Sequence, residues 1–279
     1  MDNTLIRNTT LAAVLAGGMA LAASAAPDRL VLDGSTTVGP IAKAFAEHLM
    51  RQDPAINITV SESGSGNGAK ALLNGTCDIA TLSRHLKPAE REAMEARGVK
   101  PVAHVAAYDA LPVVVHPSNK VGGLTIEQIR GIYTGKIVNW KEVGGFDKPI
   151  VVISRDTNSG TFETFSELVL GKDGKIVPAA EYTGSNGAVR QRVQKTEGAI
   201  GYLGLGFVDD TVKVVEVNGV EPSVETVLDK TYPINRELFM FTNGEPAAGS
   251  LAAKFLAMIG SKAGAAMVEE IGFVPVSGR

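Results

Sequence analysis

The feature that most constrains the fold is a motif of an apolar strand, a turn of small polar residues and a helix, which occurs three times. The clearest copy covers residues 150–169. Its first four residues, Ile-Val-Val-Ile, predict a buried strand, and 155–161 form the turn. The apolar residues that follow the turn are spaced as one face of a helix, and they are Phe162, Phe165, Leu168 and Val169.

The other two turns are rich in Gly and Ser and follow the same plan. Residues 33–40 come after the apolar run 30–32, and residues 62–68 come after the alternating run 56–60. Strands and helices continue to alternate along the rest of the chain. This alternation predicts an α/β fold with a largely parallel sheet.

Each of these turns is a place where an anion can bind. The N–H groups in the first turn of a helix have no intrahelical partner, and the positive end of the helix dipole lies there. Arg155 adds a charged donor fork suited to an oxyanion, while Ser159, Gly160 and Thr161 supply donors and close backbone approach. Three such turns directed at one point predict a site for a small anion. For the turn at 155–161 taken alone, the alternative is an ordinary helix cap at Asn158 or Ser159 with Arg155 on the surface.

Length and charge narrow the class of protein. The chain has 279 residues and is 44% hydrophobic, which is enough for two domains with their own cores. Its net charge of −3, with no basic block, argues against nucleic acid or an anionic membrane surface as partner. An anion binder of this charge must rely on local dipoles and hydrogen bonds.

The first 25 residues resemble a secretory signal peptide. Arg7 precedes a short apolar run, 11–22, and the small residues 23–25 form a cleavage pattern. The run is about 12 residues long, whereas a membrane-spanning helix needs about 20. The only cysteine, Cys77, lies far from that cleavage pattern, so it offers no lipid attachment there and no disulfide partner. We therefore expect a soluble periplasmic chain that is not a lipoprotein.

Nucleotide binding and catalysis have weaker support. The turn at 62–68 lacks both the Gly-Lys-Ser/Thr ending of a Walker loop and the acidic residue that a dinucleotide turn needs after the next strand. Ser65, Ser159 and Ser185 lie on turns, but none is in a Gly-x-Ser-x-Gly motif. Four histidines show no metal spacing: His48, His85, His104 and His116. We therefore expect no enzyme activity, no metal and no cofactor.

Several segments together, in this order, resemble the periplasmic phosphate-binding proteins that serve the phosphate ABC transporter. The segments are residues 33–37, 63–68, 83–84, 128–135 with 139–140, 154–161 and 198–202. The resemblance covers nearly all of the chain after residue 25. It implies a two-lobed clamshell in which each lobe is a mixed, mostly parallel sheet flanked by helices, with two hinge crossovers. The implied lobes are 26–109 plus 232–279, and 110–231.

The resemblance also implies the ligand and the residues that hold it. Phosphate would lie in the cleft and would be released to a permease of the inner membrane after the hinge closes around it. The protein would act as a monomer. The implied phosphate-binding residues are Thr36, Thr37, Ser65, Ser83, Arg155, Ser159, Gly160 and Thr161, with Ser35 and Arg84 as further candidates.

Ser83 is a departure from this family. Well-known members resemble this chain around that position but carry an aspartate, which accepts the proton of phosphate and so rejects sulfate. A serine can accept or donate, which leaves open whether Asp33, Glu62 or Asp156 takes that role. A general oxyanion receptor, an extracellular phosphate-sensing or adhesion protein and a secreted hydrolase stay open as alternatives. Arg84 faces the anion or pairs with a carboxylate.

Overall fold

The structure is a computed structural model that describes residues 28–277. The predicted signal peptide lies outside the described residues. The strands are β1 (Asp28–Gly34), β2 (Ile56–Ser61), β3 (Ile79–Leu82), β4 (Pro101–Ala110), β5 (Val113–Val115), β6 (Gly123–Leu124), β7 (Val151–Arg155), β8 (Glu181–Thr183), β9 (Ala199–Tyr202), β10 (Lys213–Val217) and β11 (Asn235–Asn243). The α-helices are α1 (Gly39–Gln52), α2 (Ser65–Leu73), α3 (Pro88–Ala96), α4 (Ile126–Tyr133), α5 (Gly160–Phe165), α6 (Asn186–Lys195), α7 (Val224–Leu228), α8 (Leu251–Ala257) and α9 (Lys262–Glu270).

The first sheet has five strands in the order β2-β1-β3-β11-β4. Strand β1 runs parallel to β2 and β3, and β11 runs antiparallel to β3 and β4. Helices α1, α8 and α9 contribute Phe45, Phe255 and Val268 to the core on one face, while α2 and α3 contribute Leu72 and Met94 to the core on the other. All four residues of β3 are buried, as expected for a central strand covered on both faces. We call this sheet and its helices lobe I.

The second sheet has six strands in the order β6-β10-β5-β9-β7-β8. Strand β5 is antiparallel to both of its neighbours, and the other three pairings are parallel. On one face, the rings of Phe165 and Tyr202 stack 3.8 Å apart beside the fully buried Trp140. On the other face, α6 packs through Val189 and Val193. We call this sheet and its helices lobe II.

Two segments connect the lobes. The chain passes from β4 to β5 through Leu111, and it returns from lobe II to β11 through Ile234. The two segments are joined by a hydrogen bond from Leu111 N to Ile234 O of 2.8 Å. The predicted two-lobed α/β clamshell of mixed sheets flanked by helices is confirmed. Its lobe boundaries at 109/110 and 231/232 stay a prediction.

The helix after the third turn differs from its prediction at one position. Helix α5 ends at Phe165 and continues as a π-helical turn, Ser166–Leu170. A π turn holds an extra residue, so the side chains that follow are rotated away from α-helical spacing. Phe165 and Val169 are fully buried, whereas Leu168 is 40% exposed. The prediction that Leu168 shares their buried face was wrong.

A helix that crosses a membrane needs about 20 consecutive apolar residues. Among residues 28–277, no single helix is long and apolar enough to cross a membrane. A bent pair, Leu251–Gly260 and Lys262–Glu270, passes that criterion by length and composition only.

Candidate functional site

The three small-residue turns meet at one cavity of about 120 Å³ between the lobes. Its lining consists of seven hydroxyl side chains, two glycines and one arginine. These residues are Ser35, Thr36, Thr37, Gly64, Ser65, Ser83, Arg155, Ser159, Gly160 and Thr161. All eight predicted phosphate-binding residues lie in this lining, together with Ser35 and with Gly64, which was not predicted. Their role as phosphate ligands stays a prediction.

The lining comes from both lobes, which touch each other around it. The N–H of Gly66 donates to Asn158 O at 3.0 Å across the cleft. Thr164 Oγ1 in lobe II donates to Ser83 O in lobe I at 3.3 Å. The structure is therefore that of a closed clamshell, with the cavity shut between the first turns of α2 and α5.

Arg155 is the charged residue of the lining. Its side chain is 1% exposed, so the alternative that placed it on the surface is wrong. Burial lowers the pKa of Arg155 to about 10, which leaves it charged at neutral pH. Its N–H groups donate to Thr183 O at 3.2 Å, Gly184 O at 3.0 Å, Asn186 Oδ1 at 3.3 Å and Thr36 Oγ1 at 3.1 Å. All four acceptors are uncharged, so they hold the guanidinium in place without neutralising it.

The first turn of α5 closes the cavity from lobe II. Ser159 is the N-cap, and its Oγ accepts from Phe162 N at 3.3 Å. The capping alternative therefore holds for Ser159, and the same residue also lines the cavity. A Cβ on Gly160 would lie 2.5 Å from Ser65 Oγ and 2.6 Å from Ser83 Oγ. The lobes can meet here because position 160 has no side chain.

Carboxylates are absent from the ten lining residues. The three that were considered as proton acceptors are engaged elsewhere. Asp33 Oδ1 accepts from Ser63 Oγ at 2.7 Å, Glu62 pairs with Lys43 at 2.8 Å, and Asp156 Oδ1 accepts from Asn158 N at 2.9 Å. Within the described part of the chain, the lining can therefore meet an anion only with hydroxyls, amides and Arg155.

Arg84 is not part of the lining. It forms a two-pronged pair with Glu90, with both N–O distances 2.8 Å. Its Nε lies 2.5 Å from Glu163 Oε2 in lobe II, but without the angle of a hydrogen bond. Lys87 Nζ lies 3.0 Å from the other oxygen of Glu163. Of the two alternatives for Arg84, the structure has the carboxylate pairing. A direct contact with the anion stays a prediction.

Three buried residues behind the cavity were missed by the sequence analysis. Arg236 Nη1 donates to Thr161 Oγ1 at 3.0 Å, and two other N–H groups of Arg236 hold Asp109 Oδ2 at 2.7 and 2.9 Å. Burial raises the pKa of Asp109 and lowers that of Arg236, and each charge offsets this effect on the other. Asn186 Nδ2 donates to Thr37 Oγ1 at 3.0 Å.

The sequence carries a signal for two of these three residues, Asn186 and Arg236. Asn186 opens a helix after a small-residue turn, which is the same plan as in the three turns singled out above. Arg236 alternates along its strand with the apolar Leu238 and Met240, and a charged residue on such a face signals a buried partner. Asp109 offers only its place at the end of a strand.

A larger groove lies beside the cavity. Its empty volume is about 1220 Å³, against about 120 Å³ for the cavity, and Arg84, His85, Phe162 and Leu168 are among its lining residues. Charged groups in it are paired with one another, as Arg84 and Lys87 are with Glu163. The three small-residue turns and Arg155 converge on the smaller cavity, which we therefore take as the candidate site.

The chain has two mixed sheets flanked by helices, two chain crossings between them and a closed cavity that both lobes line. This combination defines the class of two-lobed binding proteins. Residues 21–262 match the family model described as a PBP superfamily domain. The chain is 34% identical to protein SphX of Synechococcus elongatus, over 92% of this chain and 80% of that protein. It is 33% identical to the phosphate-binding protein PstS of Borreliella burgdorferi, over 88% of this chain and 89% of that protein.

A solved structure agrees with these sequence matches. A protein of Clostridium perfringens, described as a phosphate ABC transporter substrate-binding protein with bound phosphate, has a TM-score of 0.82 and 38% identity. The match covers 89% of this chain and 99% of that one. The chain belongs to the PBP superfamily and, within it, to the family of the phosphate-binding protein PstS.

Proposed function

We propose that this protein binds inorganic phosphate between its lobes and delivers it to the permease of an ABC transporter. The observation that carries the proposal is the cavity itself, where seven hydroxyls, Arg155 and the first turn of α5 face one small space. The relatives support it, because PstS of Borreliella burgdorferi is named a phosphate-binding protein and the Clostridium perfringens structure contains phosphate.

Donors that are fixed in advance suit phosphate well. The anion loses its water on entering the cavity and must recover several hydrogen bonds. Hydrogen bonds to a charged group are about twice as strong as neutral ones, and donors already held in place cost little entropy on binding. Arg155 balances part of the charge. The proposed ligands are the eight predicted residues together with Ser35: Thr36, Thr37, Ser65, Ser83, Arg155, Ser159, Gly160 and Thr161.

Closure of the hinge follows from the division of these ligands. Ser65 belongs to lobe I and Arg155 to lobe II, so phosphate receives its full set of donors only when the lobes are together. A ligand that binds one conformation better shifts the population toward it. We infer that phosphate favours the closed form and that the permease docks on that form. The lobes that move are proposed as 26–109 plus 232–279, and 110–231.

The proposed setting is the periplasm. Residues 1–25 would direct secretion and be removed, and the protein would work there as a monomer without a lipid anchor. We infer binding rather than catalysis, since the relatives are named for phosphate binding and transport. Among residues 28–277, no group of three or more His, Cys, Asp or Glu residues is placed to hold a metal ion.

Titration calorimetry tests the proposal. The protein is unfolded and refolded to remove phosphate carried through purification, and then titrated with phosphate and separately with sulfate. Tight binding of phosphate is the expected result, and much weaker binding of sulfate would show that a lining hydroxyl accepts the phosphate proton in place of a carboxylate. Equal affinity for both anions would replace the phosphate receptor by a general oxyanion receptor. A folded protein that gives no heat with either anion would refute the proposal.

A further inference from the structure

Two threonine hydroxyls face each other across the cleft. Thr37 Oγ1 in lobe I lies 3.1 Å from Thr161 Oγ1 in lobe II, and both side chains are buried. A hydroxyl has one proton to donate and accepts on its lone pairs. The direction of each proton therefore depends on what else contacts the two oxygens.

Thr37 receives a donor from the opposite lobe. Asn186 Nδ2, at the start of α6, donates to Thr37 Oγ1 at 3.0 Å. The orientation of this amide is fixed, because Asn186 Oδ1 accepts from Arg155 Nη1 and from Gly204 N, each at 3.3 Å. The NH₂ end must then face Thr37. The oxygen of Thr37 is an acceptor in this contact, so its own proton is left to donate.

Thr161 also receives a hydrogen bond from a donor in the opposite lobe. Arg236, on β11 of lobe I, donates Nη1 to Thr161 Oγ1 at 3.0 Å, and a guanidinium has no lone pair with which to accept. The Asp109 carboxylate holds Arg236 in this position through two N–H groups. The proton of Thr161 is therefore also left to donate.

We propose that Asn186 and Arg236 are positioning residues that turn these two hydroxyls into donors for the anion. Without an anion, only one of the two protons can be donated across the 3.1 Å contact between the oxygens, and the other has no acceptor there. Among residues 28–277, neither hydroxyl has another acceptor. An anion oxygen beside the pair accepts from both. The inference rests on the proposed function, since it concerns how the same site binds phosphate.

This arrangement depends on closure. Asn186 belongs to lobe II and acts on Thr37 of lobe I, whereas Arg236 belongs to lobe I and acts on Thr161 of lobe II. Each positioning contact therefore forms only when the lobes meet. Closing the cleft creates the two directed donors at the same time as it encloses the anion.

A thermodynamic cycle tests the inference, with inorganic phosphate as the ligand and calorimetry as the readout. Thr37→Val and Asn186→Ala are measured singly and together. Each single change is expected to weaken binding by about tenfold or more. If Asn186 acts through the hydroxyl of Thr37, the double variant binds about tenfold better than the product of the two losses predicts. The control is Asn186→Ala combined with Ser65→Ala, where losses should multiply.

The second cycle combines Thr161→Val with the neutral pair Asp109→Asn and Arg236→Gln, which leaves no buried charge unpaired. The same coupling of about tenfold is expected. Thermal unfolding shows whether each variant is folded, and the Asn186 cycle stands alone if the Arg236 variants are not. Losses that multiply within about twofold in the Asn186 cycle would overturn the inference while leaving phosphate binding intact. A wild-type protein that does not bind phosphate would instead overturn the proposed function.

Discussion

Gly160→Ala is expected to hold the clamshell partly open without unfolding it. The added Cβ would stand 2.5 Å from Ser65 Oγ and 3.0 Å from Ser65 Cβ, both in the opposite lobe, where ordinary contact begins near 3.4 Å. The serine hydroxyl could rotate away, but it would then lose the bond that it accepts from Ser83 N at 3.1 Å. The Cβ of Ser65 cannot move without α2, so the lobes must separate.

The cost in affinity follows from the donors that this separation removes. Each hydrogen bond to a charged group is worth about 1.5–3 kcal/mol, so losing one weakens binding about tenfold to a hundredfold. Gly160 is the first residue of α5 and does not have a positive φ, so its backbone conformation is one that alanine can adopt. The melting temperature without ligand should therefore stay close to that of the wild type.

Gly187→Ala is the matched control. Gly187 is also a glycine in the first turn of a lobe II helix, but a Cβ there has no contact closer than 4.0 Å. Calorimetry with phosphate gives the affinities, and small-angle scattering with saturating phosphate gives the degree of closure. The control should match the wild type in both. Wild-type affinity for Gly160→Ala would show that the lobes do not close as the structure has them.

Three further predictions concern the charged residues. Arg155→Lys loses the planar fork that holds four acceptors, and calorimetry should show at least a hundredfold weaker phosphate binding with the fold retained. Glu163→Gln breaks the cross-lobe contacts to Arg84 and Lys87 and should weaken phosphate binding about threefold to tenfold, less at high salt; an unchanged salt dependence would contradict this. Burial raises the pKa of Glu90, but the hydrogen bonds from Arg84 outweigh this effect, so the pKa lies below its ordinary value of 4.5. Its contribution to stability is then present above pH 4.5 and lost as the pH falls through the lowered value, so Glu90→Gln should lose less melting temperature than the wild type on acidification; equal losses would contradict it.

Local patterns were enough to predict the turns of the site. Ser159 and Gly160 follow an apolar run and precede an apolar helix face, and each of those signals lies within a few residues of the next. The first two turns follow the parallel strands β1 and β2, whose carboxyl ends lie along one edge of a sheet, so their proximity could be predicted. The third turn follows β7 of the other sheet and meets them only through the packing of the two lobes. The exposed Leu168 was not predictable, since no local pattern marks the start of a π turn.

The residues behind the site depend on tertiary structure. Asp109 and Arg236 are 127 positions apart, and Asn186 and Thr37 are 149 apart. No spacing rule connects such pairs, and their value lies in the direction of a hydrogen bond, which only the folded chain reveals. One carboxylate partner of Arg84, Glu90, is only six positions away, but the other, Glu163, approaches from the opposite lobe and could not be predicted for the same reason.

A crystal structure of the refolded protein with phosphate tests the central claim most directly. The account predicts a tetrahedral anion in the cavity between α2 and α5, with oxygens in contact with Arg155 and with the hydroxyls of both Thr37 and Thr161. Phosphate bound in the larger groove beside Arg84, or held by one lobe alone with the cleft open, would contradict the account.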